Sequence, residues 1–237
     1  MDDSIPSLTQ ALSVQFAGAK RIWIKDVYAL DAALARIATQ GLSHDVAHVK
    51  LDWWREELTR LQQGEPRHPR TQALHQHSPK DPLYLCWDDR LTAVEFELVG
   101  FEPSSVPELL TLIDRSHGAL QRLLASSLGG ADASTLSHVG LSLGRGLGLR
   151  DWLLKPTATD GLPQDTLLSL ATSTLDDAVN ALPKRAHAAQ RHALVQAALA
   201  HAQLSALSHG RGHLTPTALS HWWRAFKTAR AAQLTGA

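Results

Sequence analysis

Cysteine is almost absent: Cys86 is the only one in 237 residues. That excludes an intrachain disulfide framework and any metal site built from several cysteines. It also fits a reducing compartment, so the cytoplasm is the expected location. An excess of either charge is missing too, with 23 Lys+Arg against 23 Asp+Glu. The chain as a whole therefore lacks the basic field that holds a phosphate backbone, and nucleic acid is not an expected partner. Charged or polar residues interrupt every apolar run before the roughly 20 residues needed to cross a bilayer, which leaves peripheral membrane contact open. The first residues, Met1-Asp2-Asp3-Ser4-Ile5-Pro6, have neither an apolar secretory core nor an Arg-rich transit pattern, so no targeting segment is expected. Alternating patterns of strand type are lacking. So are a G-x-x-x-x-G-K-[ST] phosphate loop, a dinucleotide fingerprint and any local motif for a Ser/His/Asp or Cys/His nucleophile.

What the sequence has is helical periodicity almost everywhere. Hydrophobic residues make up 44%, enough to bury a full core in one domain covering residues 1–237. Val27, Leu30, Leu34 and Ile37 mark one amphipathic helix, and Leu51, Trp54, Leu58 and Leu61 the next, which Gly64 and Pro66 terminate. A polar loop to about Pro82 follows. Trp87, Leu91, Val94 and Leu98 predict a third helix before Gly100. Leu109, Leu112, Ile113, Leu120, Leu123 and Leu124 predict a long fourth one ending near Gly129-Gly130. Further helices are expected around 134–154, 165–181, 185–208 and 215–233, the last with Thr215 as N-cap and Pro216 at its first position. The expectation is an all-α, single-domain bundle of about eight helices.

Three stretches carry a resemblance. Lys50-Leu51-Asp52-Trp53-Trp54-Arg55-Glu56-Glu57-Leu58 is followed by Gly64-Glu65-Pro66-Arg67-His68-Pro69 and Ala73-Leu74; Tyr28-Ala29-Leu30 precedes them; Leu149-Arg150-Asp151 and Leu162-Pro163-Gln164-Asp165 come after. In order and spacing these resemble the squalene/phytoene synthase family, and a weaker similarity reaches Trp222-Trp223-Arg224-Ala225-Phe226. The resemblance implies the isoprenoid-synthase helical fold around a deep, central apolar cavity. It makes Tyr28, Trp53, Gly140, Gly144 and Gly148 candidates for the cavity lining.

The same resemblance implies, for active members, magnesium held by two aspartate-rich segments on facing helices. Counting from Tyr28, the first segment falls on Ala35-Arg36-Ile37-Ala38-Thr39, so Ala35, Arg36 and Thr39 stand where carboxylates would. Counting from Leu149, the second falls on Arg150 and then Asp151-Trp152-Leu153-Leu154-Lys155, which keeps Asp151 and places Lys155 at the other acid. Magnesium takes oxygen ligands, and two cations in this set oppose it; Arg36 and Lys155 could instead meet a diphosphate directly. No catalytic residue, metal or cofactor is assigned. The loss resembles an aspartate-poor, non-catalytic branch of the family, similar to its mitochondrial complex I assembly factor. Two readings stay open: an assembly or scaffold factor with a client protein or a prenyl lipid as partner, and a prenyl diphosphate transferase with degenerate metal motifs.

Other constellations have plainer readings. His44 and His48 have the i, i+4 spacing of a helical zinc chelate, without the glutamate base or a third ligand. His209 and His213 repeat that spacing beside Gly210 and Gly212, in what reads as a loop. Gly140, Gly144 and Gly148, with Gly146, lie on a predicted helix, where each glycine costs about 1 kcal/mol relative to alanine. Close helix packing, a smooth wall for an apolar ligand and a broken helix are the alternatives. Trp54 belongs to the apolar stripe. Trp53, about 100° away, belongs to a cavity margin, an interface or helix packing. Glu56 and Glu57 read as solvated surface or as partners of Arg60.

Overall fold

The 3.6-residue period of the apolar positions becomes helices throughout. In a computed structural model, which describes residues 7–77, 85–126, 132–155, 161–182, 190–209 and 218–234, the order is α1 (Leu8–Val14), α2 (Arg21–Thr39), α3 (His44–Gln62), α4 (Pro69–His77), α5 (Leu85–Leu98), α6 (Val106–Ile113), α7 (Ala119–Ser126), α8 (Ala133–Leu153), α9 (Gln164–Ala181), α10 (Gln190–Ser208) and α11 (Ala218–Leu234). A 3-10 turn, Gly18–Lys20, precedes α2, and a π-turn, Asp114–Gly118, joins α6 to α7. No strand occurs among the described residues. None of the described helices is long and apolar enough to cross a membrane.

Helix ends follow local chemistry. At Gly64 (φ 81°) the amide of Glu65 bonds to the Arg60 carbonyl at 2.9 Å and that of Gly64 to Leu61 at 3.1 Å, the double closure that a left-handed residue allows after a helix. Asp132 caps α8 by accepting from the Thr135 amide at 2.9 Å. Two expectations need correction. The stretch from Gly64 toward Pro82 contains α4, which starts on a proline and buries Leu74 and Thr71; so few apolar positions leave no period to read. The long fourth helix is divided by the π-turn, where the Ser116 hydroxyl donates to the carbonyls of Leu112 at 2.9 Å and Ile113 at 3.3 Å. Thr215, Pro216, Gly129, Gly130 and His213 lie outside the described residues.

Among the described residues two large apolar clusters form the interior, with a third, smaller one between α10 and α11. One gathers Ile24, Leu30, Leu34, Leu51, Trp87 and Leu91 from α2, α3 and α5 with Leu124 of α7. The other gathers Leu109, Leu149, Leu167 and Leu175 from α6, α8 and α9 with α10. Tyr28 does not face open space. Its hydroxyl lies 3.1 Å from His192 Nε2 and within hydrogen-bond reach of Gln196, whose amide also reaches Ser13 Oγ at 3.3 Å. This polar cluster is buried. Burial pushes the Tyr28 phenol up and the His192 imidazole down to about 3. The void beside it, lined by Gln121, Leu124, Val139, Leu143 and His192, measures about 10 Å³, room for one water at most.

Candidate functional site

Helix α8 builds the site, and its glycines set how closely the neighbours approach. A Cβ added at Gly140 would lie 2.6 Å from Arg122 Cα, and one at Gly144 would lie 2.5 Å from Gly118 Cα and 2.7 Å from the His117 carbonyl oxygen. At Gly148 it would meet Ile113 Cγ2 at 2.5 Å. Three glycines spaced four apart thus receive α6, the π-turn and α7 backbone to side chain along one face. Gly146 turns the other way, toward Leu175 of α9. Gly140 and Gly144 are therefore corrected from cavity lining to helix packing, the close approach outweighing the helix propensity that glycine forfeits.

Gly148 stands where this contact opens into a pocket of about 650 Å³, a usual size for a small-ligand site. Ala38 and Thr39 at the end of α2 form one side, the 97–103 turn after α5 another, and Leu109, Leu112 and Ile113 of α6 a third. Ser116 and His117 come from the π-turn; Gly148, Asp151, Trp152 and Lys155 come from the end of α8. The pocket thus brings together Thr39 of α2 with Asp151 and Lys155 at the end of α8. Ala35 and Arg36 sit half-buried one turn earlier on α2, outside this lining. Trp53 is elsewhere. It is 42% exposed on α3, with its ring 5.6 Å from that of His68.

The carboxylate of the pocket's α8 side is already engaged. Asp151 Oδ2 lies 3.0 Å from His117 Nε2, and its Oδ1 accepts from Arg150 Nη2 at 2.6 Å. Desolvation alone would raise the carboxyl's pKa, yet His117 and Arg150 together hold it down at about 2. Arg150 is buried and also donates to Gln203 of α10 at 3.1 Å, which fixes the pair from behind. Lys155 places its ammonium 5.2 Å over the Trp152 ring. Below the pocket, Arg145 of α8 grips Asp114 of the π-turn through two bonds of 2.7 Å. A magnesium cluster of the kind the resemblance implies needs several carboxylate oxygens on facing helices. Here the α2 side offers a threonine, Asp151 is tied to Arg150 and His117, and Glu97 lies 3.7 Å from Arg90. The residues present do not fit that group. Among the described residues no cluster of three or more His, Cys, Asp or Glu side chains is placed to hold a metal.

His117 and the Arg145–Asp114 pair escape sequence reasoning because their partners are some 30 residues away and the π-turn re-aims them. His44 and His48 lie side by side on the surface of α3, their rings tilted by 58° and their Nε2 atoms 3.1 Å apart.

The longest matching stretch, Lys50 to Leu74, forms something different from a pocket. Glu57 is fully buried and accepts from the amides of Arg67 and His68 at 2.8 Å each, from the Thr71 hydroxyl and from Arg60 Nε at 3.0 Å. Burial would raise its pKa, but those donors hold it down at about 2. His68 closes the turn by packing edge-on against Trp54, with ring centres 4.8 Å apart. Glu57 is thus no surface residue. It clasps α3 to α4.

Residues 10–160 match the family model for squalene/phytoene synthase. The match takes in the clasp and the whole pocket wall and ends before Leu162 and Trp222–Phe226. No curated protein and no solved structure matches the chain. With nearly two thirds of its length matched, and an all-helical architecture to carry it, this chain belongs to the squalene/phytoene synthase family.

Proposed function

We propose that this member of the family is non-catalytic: it holds a prenyl lipid in the α2–α6–α8 pocket without turning it over, and serves as a scaffold or assembly factor rather than as a transferase. The observation that carries the reading is the composition of the pocket mouth. Where metal-bridged diphosphate chemistry needs facing carboxylates, Thr39 stands on one side, while Asp151 on the other is paired with Arg150 and hydrogen-bonded to His117, beside Lys155. Leu109, Leu112, Ile113 and Trp152 supply an apolar wall for an isoprenoid chain, and Lys155 supplies a cation for a polar head.

The test has two readouts. Incubation with farnesyl or geranylgeranyl diphosphate and magnesium is expected to release no diphosphate; release above the protein-free rate overturns the non-catalytic reading. Titration with farnesyl diphosphate or the prenyl alcohol is expected to quench tryptophan emission saturably in the native chain and not in Trp152→Phe. Absence of saturable quenching overturns the prenyl ligand.

A further inference from the structure

The net charge of zero conceals a divided molecule. After Asp177 the sequence has no acidic residue to its end, while Lys184, Arg185, Arg191, Arg211, Arg224, Lys227 and Arg230 all lie there. The last described helix, α11, is also apolar on the outside. It docks through Ala225 and Ala229, both buried with Val195 and Leu199 of α10 and with Leu12 and Phe16 packed beside them. Its large rings face outward: Trp222 is 46% and Trp223 52% exposed, and both stack on Phe226 with ring centres 5.5 and 5.9 Å away. A helix that only completes a core places its bulk inward and its small residues outward. This one does the reverse.

The charges share the outer face. At about 100° per residue, Trp222, Phe226 and Trp223 span roughly 100° of the helix circumference with Arg230 inside that arc, and Lys227 and Arg224 extend it to about 200°. All three cations are exposed, and Lys227 holds its ammonium 5.2 Å over the Trp223 ring. The two helices on which α11 packs, α1 and α10, carry no Asp or Glu. Exposed indoles favour the boundary between water and lipid, and clustered Lys and Arg favour anionic headgroups.

We propose that the outer face of α11 docks the protein on the surface of an anionic lipid bilayer, with Trp222 and Trp223 entering the headgroup layer and Arg224, Lys227 and Arg230 meeting lipid phosphates. The helix lies in the plane of the surface and does not cross it. This surface is independent of the pocket assigned above, so either can fail alone.

The experiment is sedimentation of the full chain with vesicles of phosphatidylcholine, with and without phosphatidylglycerol. Binding is expected to the anionic vesicles only, with a blue shift of tryptophan emission, and to disappear near 1 M salt, where the Debye length is about 3 Å. Each surface cation contributes about 5-fold in affinity, so Arg224→Glu/Lys227→Glu/Arg230→Glu is expected to weaken binding about 100-fold or more. Trp222→Ser/Trp223→Ser is expected to weaken it about 10-fold and to remove the blue shift. These side chains are exposed, so both variants should keep the native helical circular dichroism and melting temperature. Four results overturn the proposal: no binding to anionic vesicles, equal binding to neutral ones, binding unchanged in both variants, or retention on heparin without retention on vesicles. A dimer of the native chain that Trp223→Ser dissociates overturns it too, since a second copy would then cover this face.

Discussion

Glu57 and Asp151 are both carboxylates held near a pKa of about 2, and they are held by different means. Glu57 is sealed inside the α3–α4 clasp, and two of its donors are backbone amides. Asp151 sits 42% exposed at the pocket mouth, and its partners are the side chains of His117 and Arg150. Backbone donors stay whatever the neighbouring residues become, so a buried acid serving them is needed by the fold itself. Side-chain partners can be exchanged one at a time, and water can replace them. The Lys50–Leu74 stretch, which lies inside the matched residues 10–160, forms such a clasp.

The strongest way to test that contrast is Glu57→Ala. It leaves the Arg67 and His68 amides and the Thr71 hydroxyl without a partner in a closed site, and a loss of about 3–5 kcal/mol is expected. For a chain of this length that lowers Tm by roughly 10 °C. A thermal melt reads it. A fall no larger than that of a surface variant would mean that the clasp does not hold α4.

Acid sharpens the comparison by separating Glu57 from the buried imidazole of His192. His192 has a folded pKa of about 3, depressed by burial, so the folded state excludes a proton that the unfolded chain accepts near 6.5. Stability from this source is complete above about pH 6.5 and falls as pH drops toward 3. Glu57, also depressed, adds its loss only below about 4.5. Between pH 7 and 4.5 the His192 loss is about 2–3 kcal/mol by linkage. Urea unfolding at the two pH values should give that difference, and His192→Gln should remove most of it.

Gly144→Leu breaks the wall on which Asp151 is carried. The obstacle is the backbone of Gly118 and His117, which cannot rotate aside, so a loss of about 1–3 kcal/mol or more is expected from overpacking. Gly148→Ala meets the Ile113 side chain instead and should cost less. Melting both variants compares a backbone obstacle with a side-chain one; equal losses would mean that the π-turn contact yields as readily as a rotamer.

The sequence made the helices legible because their apolar stripes repeat over three or more turns, as in α2, α3 and α8. It hid α4, with one buried leucine, and the π-turn, whose extra residue leaves no compositional mark. Thr39, Asp151 and Lys155, reached by counting from neighbouring motifs, line one pocket. Arg36 and Ala35 were counted to the same place, but one helical turn separates them from the pocket lining. His117 was missed because nothing within its own helix announces a partner 34 residues away. The glycine face was legible as an approach but not as an approach of what, since spacing gives the face and only the partner's backbone decides between packing and a cavity.

Asp151→Asn is the smallest effect and the closest comparison with Glu57. The substitution keeps the shape and one acceptor for Arg150 while removing the charge. Arg150 retains Gln203, and His117 retains access to solvent, so no buried donor is abandoned. The pair is open to solvent on the Asp151 side and buried on the Arg150 side, so a loss of about 1 kcal/mol is expected, below that of Glu57→Ala, and Tm should move by no more than a few degrees. What should change is the charge at the pocket mouth, which becomes one unit more positive beside Lys155. Farnesyl diphosphate should then bind a few-fold more tightly and the uncharged prenyl alcohol as before, since only the former carries charge for the altered field to act on. Equilibrium titration of the two ligands reads this directly. Equal changes for both would mean that Asp151 shapes the pocket instead of charging it, and a stability loss matching that of Glu57→Ala would erase the distinction between clasp and site.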